Sequence, residues 1–249
     1  MSIAGPTDRG FAERIPLVLL LDTSASMARP EDAPRISELN TALGEWITHA
    51  TADPVLREQL EVAIVTFDSE VRVLALADGP DAFALVGTVT PPKLEASGFT
   101  LMLPALETAV RLATERTREL TVRGIPSRRP LVWLVTDGAP SDATGTPVPA
   151  DEVRAAARLL HNLARPTADS AGCLCYVAGV CGADLAMLNI LAPGACMPVS
   201  DFGYLQILGV VSETASRHQA VSADDEYART RQLQEERARR LRFLDDDPE

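Results

Sequence analysis

The sequence predicts an α/β fold: a doubly wound, mostly parallel sheet with one antiparallel edge strand and helices on both faces. Short apolar runs of strand length alternate with segments of helical period along most of the chain. Parallel neighbours need crossover connections, which are usually helices, so the alternation indicates a parallel sheet. Apolar residues make up 46% of the 249 residues and aromatic residues only 4%, which is typical of strands buried on both faces by aliphatic side chains.

Four runs have the length and the aliphatic content of buried strands. They are residues 17–21, 62–67, 131–136 and 174–180. A shorter run at residues 71–76 directly follows Asp68-Ser69-Glu70, so we expect it to form the second arm of a hairpin and to be antiparallel. A short last strand is expected near residues 195–199.

Segments whose apolar residues recur every three or four positions lie between the strands and predict amphipathic helices. These residues are Ile36, Leu39, Leu43, Trp46 and Ile47; Leu103, Leu106, Val110 and Ala113; and Val153, Ala156, Ala157, Leu160 and Ala164. Two weaker helical segments, residues 185–191 and 204–215, continue the alternation. We therefore expect one domain over residues 15–216, after an N-terminal extension of residues 1–14.

The end of the chain differs from the rest in composition. Residues 224–242 are rich in charge and are followed by Asp245-Asp246-Asp247. Pairs such as Glu235 with Arg239 favour a helix, whereas a frayed, solvated segment is the ordinary alternative. Residues 217–249 are therefore predicted to form either a charged C-terminal helix or a tail. In a helix, one broad apolar stripe would hold Tyr227, Leu233, Ala238, Leu241 and Leu244.

Charge and hydropathy argue against several classes of protein. The net charge of −12 argues against a basic surface, so we expect no nucleic-acid partner. Residues 1–14 contain no apolar run of signal-peptide length, and residues 15–21 are too few to cross a bilayer, so we expect a cytoplasmic protein without a membrane partner. The four cysteines lack zinc-knuckle spacing and are expected to be reduced thiols. They are Cys173, Cys175, Cys181 and Cys196.

Oxygen-bearing side chains follow two of the predicted strands, where ligands of open α/β sheets bind. Asp22, Ser24 and Ser26 come directly after the first strand at alternate positions, and Asp137 begins the loop after the strand at 131–136. Between them, a loop ends at Thr100 at the start of a predicted helix. Each piece alone has an ordinary explanation as a helix cap or a turn. Their combination predicts one shared site.

The five residues are of the kind that hard divalent cations select. Mg²⁺, and with it Mn²⁺ or Ca²⁺, prefers oxygen ligands and often retains water. Two carboxylates balance the charge of the ion, and neutral hydroxyls leave it electrophilic toward an anionic ligand from outside. The predicted metal ligands are Asp22, Ser24, Ser26, Thr100 and Asp137.

This joint pattern resembles the metal-ion-dependent adhesion site of the von Willebrand factor A (vWA) family, in which D-x-S-x-S is followed by a threonine and by the aspartate of T-D-G. The resemblance covers about residues 15–215 and implies a Rossmann-like vWA fold. More narrowly, D-T-S-x-S-M, V-T-F-D-S, A-S-G-x-T and T-D-G-x-P-x-D look like bacterial TerY-type proteins of tellurite-resistance and related stress operons. Ala25 and Phe99 stand where glycine is frequent; Phe99 either makes a contact at the rim of the site or tucks into the core.

The resemblance implies a metal-dependent protein-interaction module that binds a Glu or Asp of a partner, with a Ser/Thr kinase and a phosphatase as partners. An adaptor of an AAA+ ATPase of the MoxR type is the alternative. A third hypothesis, a magnesium phosphohydrolase, requires a second carboxylate two residues after Asp22, where Ser24 stands, and a phosphate-binding lysine. The only lysine is Lys93. We therefore expect that the chain is not an enzyme.

Overall fold

The computed structural model describes residues 12–77, 79, 81–167, 172–180, 183–193, 195–198, 203–217, 225, 227–232 and 235–236. Within these residues one sheet contains seven strands. The strands are β1 (Ile15–Asp22), β2 (Leu60–Phe67), β3 (Val71–Val73), β4 (Ala84–Leu85), β5 (Leu131–Thr136), β6 (Leu174–Gly179) and β7 (Cys196–Pro198). The main helices are α1 (Arg35–Ala52), α2 (Pro54–Gln59), α3 (Met102–Val122), α4 (Ala150–Ala164), α5 (Leu185–Leu191) and α6 (Tyr204–Arg217).

The strands follow the order β3-β2-β1-β5-β6-β7. All neighbours from β2 to β7 in this order are parallel, which confirms the predicted fold class. The antiparallel edge is made of two short strands rather than one, because β3 and β4 pair with opposite ends of β2. Sequence analysis missed β4, since two residues are too few to show an alternating pattern.

The central strands lie in the core of the domain. Every residue of β1, β2 and β5 is buried, as expected where helices cover both faces of a sheet. On one face α3 packs against β1, β2 and β5 and lies beside α4. On the other, α1 packs against α6, and the Trp46 indole N–H donates to Ser212 Oγ at 2.7 Å. This frame fixes β1 and β5 as parallel neighbours at the centre of the sheet.

The described part of the C-terminal segment is helical and packs on the domain. The ring of Tyr227 meets the ring of Tyr176 edge-on, with centroids 5.2 Å apart, and Tyr176 stacks on Trp133 at 4.6 Å. Thr230 is buried and its hydroxyl lies 3.2 Å from Tyr176 Oη. The predicted stripe residues Leu233, Ala238, Leu241 and Leu244 lie outside the described residues.

Cys173, Cys175 and Cys196 carry free thiols, and Cys181 lies outside the described residues. In the parts of the chain that the structure describes, no helix is both long and apolar enough to cross a membrane.

Candidate metal centre

Two buried carboxylates meet at the carboxyl end of the sheet. Asp22 is the last residue of β1, and Asp137 follows β5 directly. Because β1 and β5 run parallel with Leu21 opposite Val135, the two strands end side by side. The side chain of Asp137 is fully buried, and Asp22 is 0% exposed.

Hydrogen bonds connect the two carboxylates through the serines of the first loop. The Ser24 N–H donates to Asp22 Oδ1 at 2.8 Å, and the Ser24 and Ser26 hydroxyls lie 3.0 Å apart. The Ser26 hydroxyl then donates to Asp137 Oδ1 at 2.7 Å. Ser24 precedes a short 3₁₀ turn, yet its side chain makes no capping hydrogen bond. The hydroxyls therefore face the site instead of serving as a helix cap.

Thr100 is held against the loop that carries Asp137. The Thr100 N–H donates to Ser141 Oγ at 2.9 Å, and the Ser141 N–H donates to the Thr100 carbonyl at 2.9 Å. A Cβ placed on Gly138 would lie 3.8 Å from Thr100 Oγ1 and 3.9 Å from Asp22 Oδ2. The structure thus brings all five predicted residues to one place, and their role as ligands stays a prediction.

The two carboxylates have different electrostatic surroundings. Among the described residues, Asp22 accepts hydrogen bonds from neutral groups, namely the Ser24 N–H and the Thr136 hydroxyl. Burial raises its pKa to about 6, against the lowering effect of these hydrogen bonds, and the charge of Asp137 raises it further. Asp137, by contrast, accepts a hydrogen bond from the Arg35 guanidinium, with Nη1 2.7 Å from Oδ2.

Sequence analysis missed three residues that support the site: Thr136, Ser141 and Arg35. Thr136 contacts Asp22 because the register of β1 and β5 puts them level, which no local pattern reveals. Arg35 did leave a signal. It is the first residue of α1, where the helix dipole disfavours a positive charge, and such a misplaced cation points to an anion nearby.

Phe99 forms part of the rim of the site, which decides between its two predicted placements. Its side chain is 44% exposed, and its N–H donates to Ser69 Oγ at 3.0 Å. The ring lies on Gly145, where an added Cβ would come within 2.5 Å of the ring carbon Cε1. Gly145 also has a φ of +84°, so glycine is favoured there for both reasons.

The donor set fits a hard divalent cation. It offers two carboxylates and three hydroxyls and contains no nitrogen or sulfur ligand. No cluster of three or more His, Cys, Asp or Glu side chains suited to a metal ion occurs within the described ranges. An ion at this place would therefore depend on the hydroxyls of Ser24, Ser26 and Thr100 as well as on the two carboxylates.

Comparison with known proteins shows the fold of this chain. No protein-family model matches the sequence, and no curated protein matches it. Among solved structures, a von Willebrand factor type A protein from Catenulispora acidiphila matches with a TM-score of 0.56 and 18% identity over 82% of this chain and 43% of that chain. The pilus adhesin SpaC from Lactobacillus rhamnosus GG matches with a TM-score of 0.58 and 12% identity over 82% and 30%.

Proximal thread matrix protein 1 from the mussel byssus matches with a TM-score of 0.53 and 17% identity, over 83% of this chain and 46% of that chain. The chain thus spans less than half the length of each of these three proteins. Likeness at such identities is a likeness of fold. Together with the strand order and the helices on both faces, it shows that this chain has the fold of a von Willebrand factor A domain.

Proposed function

We propose that this chain is a protein-binding module whose contact with its partner depends on a divalent cation held by Asp22, Ser24, Ser26, Thr100 and Asp137. One observation carries the proposal: the serines of the first loop link two buried carboxylates from neighbouring strands, and one of these carboxylates, Asp22, accepts hydrogen bonds from neutral groups alone within the described part of the chain. Mg²⁺ is the proposed ion, with Mn²⁺ or Ca²⁺ as alternatives, because every donor is a hard oxygen.

The charges of the site support an acidic partner group. Asp22 and Asp137 together balance a divalent cation, and the three hydroxyls add oxygen ligands without adding charge. When bound, the cation supplies an electrophilic position for a Glu or Asp carboxylate. The chain has a net charge of −12, so its general field repels an acidic partner, and a bound cation would offset this repulsion locally.

The surroundings of the site also support the proposal that the chain is not an enzyme. A phosphohydrolase needs a general acid near the first aspartate, and Ser24 stands at that position. A phosphohydrolase of this type also needs a lysine that holds the transferred phosphate, whereas the side chain of Lys93 is 86% exposed and lies 3.9 Å from Glu95. We expect no phosphatase or ATPase turnover.

The sequence motifs support a proposal for the biological system and the partner proteins. We propose a cytoplasmic, TerY-like stress or signalling system in which a Ser/Thr kinase and a phosphatase are the partners. An AAA+ ATPase is the alternative partner. Affinity purification of the tagged full chain in Mg²⁺ and in EDTA, followed by mass spectrometry, separates the two possibilities.

Calorimetric titration of the full chain with Mg²⁺ and Mn²⁺ tests the site directly. We expect saturable binding to the wild type and its loss in Asp137→Ala. Asp32→Ala is the matched control, because it removes an exposed carboxylate from the loop before α1 and should leave binding unchanged. Binding by Asp137→Ala equal to that of the wild type would show that the ion lies elsewhere.

The purification then tests the function. Partner capture should require Mg²⁺ and should be lost in Asp137→Ala but not in Asp32→Ala. Capture of the partner by Asp137→Ala in EDTA would show that the contact does not depend on the cation. Magnesium-dependent hydrolysis of p-nitrophenyl phosphate that disappears in Asp22→Asn would instead make the chain a phosphohydrolase.

A further inference from the structure

A positive side chain is built into the candidate metal centre. Arg35 Nη1 lies 2.7 Å from Asp137 Oδ2, and the Arg35 side chain is 27% exposed while that of Asp137 is fully buried. Arg35 occupies the first turn of α1, an unfavourable place for a cation with respect to the helix dipole. The ion pair with Asp137 offsets this cost, so Arg35 is a charged component of the site.

The two oxygens of Asp137 have different partners. Oδ1 accepts from the neutral Ser26 hydroxyl, and Oδ2 accepts from the charged Arg35 guanidinium. Asp22 has no such charged donor among the described residues. The site therefore contains two carboxylates and one permanent positive charge, because a guanidinium does not lose its proton in a protein.

We propose that Arg35 is a built-in counter-cation, which weakens the binding of the divalent ion and strengthens the binding of a partner carboxylate to the ion-loaded site. This inference rests on the proposed function. Two carboxylates and a divalent ion cancel, so a loaded site without Arg35 is neutral, and with Arg35 it carries one net positive charge. Repulsion between the ion and Arg35 lowers the ion affinity, and the surplus charge attracts an incoming carboxylate.

A purely structural role for Arg35 predicts the opposite effect on the ion. If Arg35 served only to orient Asp137, its loss would disorder a ligand and weaken ion binding. If it acts as a counter-cation, its loss removes a repulsive charge and tightens ion binding. The sign of the change in affinity therefore separates the two roles.

The first test measures Mn²⁺ binding to the full chain by calorimetry. We expect Arg35→Gln to bind Mn²⁺ about tenfold more tightly than the wild type, and Arg35→Lys, which keeps the charge, to stay within about threefold of it. Arg29→Gln is the matched control. It removes an exposed arginine that pairs with Glu31 in the preceding loop, and solvent screening should keep its effect within about twofold.

The second test uses acetate as the carboxylate probe. Mn²⁺ bound to the chain broadens the methyl NMR signal of acetate that reaches the ion. At saturating Mn²⁺ we expect Arg35→Gln to broaden this signal several-fold less than the wild type and than Arg29→Gln. Far-UV circular dichroism and a thermal melt of each variant verify that it is folded.

Unchanged or weaker Mn²⁺ binding by a folded Arg35→Gln overturns the inference and leaves the proposed function standing. If Arg35→Gln broadens the acetate signal as much as the wild type or more, Arg35 does not strengthen the binding of a carboxylate to the ion-loaded site. A wild type that binds neither Mg²⁺ nor Mn²⁺ overturns the proposed function and this inference together.

Discussion

Glu61 and Asp22 are buried carboxylates at opposite ends of the same sheet, and they differ in the charge of their hydrogen-bond partners. Glu61, near the start of β2, receives both Nε and Nη2 of Arg116 at 2.8 and 2.9 Å, and Arg14 lies 3.4 Å away. Asp22, at the end of β1, accepts hydrogen bonds from a backbone amide and a hydroxyl and from no arginine in the parts of the chain that the structure describes. Its pKa is raised to about 6 because burial is not offset by a positive charge.

The difference teaches which charges the fold itself compensates. Four carboxylates are buried among the described residues, and arginines pair with three of them: Glu61, Asp68 and Asp137. Asp22 is the exception. Glu61 and Asp68 pair with arginines and lie outside the predicted ligand set, whereas Asp137 is a predicted ligand that also pairs with Arg35. Asp22 has no arginine partner among the described residues, and in the proposed function the divalent cation would compensate its charge. The predictions below test this distinction.

The largest effect is expected at Glu61. Glu61→Ala leaves Arg116 buried without its main partner, which should lower the free energy of unfolding by about 3–5 kcal/mol. Its effect on ion binding should be absent, because Glu61 lies at the other end of the sheet. Urea unfolding with and without Mg²⁺ measures both quantities. Glu58→Ala, an exposed carboxylate three residues earlier, should cost less than about 0.5 kcal/mol.

The second prediction concerns Asp22 without metal. Its folded-state pKa of about 6 exceeds the ordinary value of 3.8, so the folded chain favours the protonated form. The stability contributed by this group is fully present below the ordinary pKa and is lost as the pH rises through about 6, to a total of about 2–3 kcal/mol.

Asp22→Asn stays neutral at every pH, so in EDTA near pH 7 we expect it to be more stable than the wild type by about 2 kcal/mol. The difference between variant and wild type should shrink toward about pH 4. Unfolding titrations over this range measure it. A variant that is less stable than the wild type near neutral pH would show that the site is already compensated.

The third prediction concerns the ion itself. At about ten times its dissociation constant, Mg²⁺ should stabilise the wild type by about 1.4 kcal/mol. Thr100→Val preserves the shape of the side chain but removes a hydroxyl, so it should retain its metal-free stability and lose most of this gain. Thermal melts measure both, and Thr108→Val on the exposed face of α3 is the control. A full gain in Thr100→Val would remove Thr100 from the ligand set.

The smallest effect is expected in the C-terminal helix. Tyr227→Phe removes the hydrogen bond that Cys175 N–H donates to Tyr227 Oη at 3.3 Å, which should cost about 0.5–1 kcal/mol. The stabilisation by Mg²⁺ should be unchanged in this variant, since every predicted ligand lies in or before the Asp137 loop.

A chain that lacks residues 224–249 should also bind Mg²⁺ while folded. Loss of binding in that folded chain would show that this segment contributes to the site.

The sequence predicted most of the fold because buried parallel strands read as continuous apolar runs. The runs at 17–21 and 131–136 match β1 and β5 closely. The edge was less predictable. The run at 71–76 forms a strand only over Val71–Val73, which are partly exposed and pair with β2 alone, so local hydropathy says little about where this strand ends.

The candidate site was predictable to the extent that it lies at strand ends. Ligand residues of the required types follow β1 and β5, and the carboxyl ends of parallel strands share one edge. The contacts that Thr136 and Arg35 make with the two carboxylates could not be predicted, because they depend on the register of the strands and on the path of the first loop. Thr136 contacts Asp22 across 114 positions and Arg35 contacts Asp137 across 102. The position of Arg35 at the start of α1 indicates that an anion lies nearby, but it does not show that this anion is Asp137.

The backbone bonds between the site loops have a mechanical consequence. Ser97 N–H donates to the Thr23 carbonyl at 2.8 Å, Ala25 N–H to Gly98 at 3.1 Å and Ser141 N–H to Thr100 at 2.9 Å, so the three loops are fastened to one another. A pulling force applied at the ion would therefore be shared by all three loops. It would then pass into β1 and β5, which are bonded to neighbours on both sides and must be sheared along their whole length to yield. A partner bound through the proposed cation would therefore pull on two central strands of the sheet.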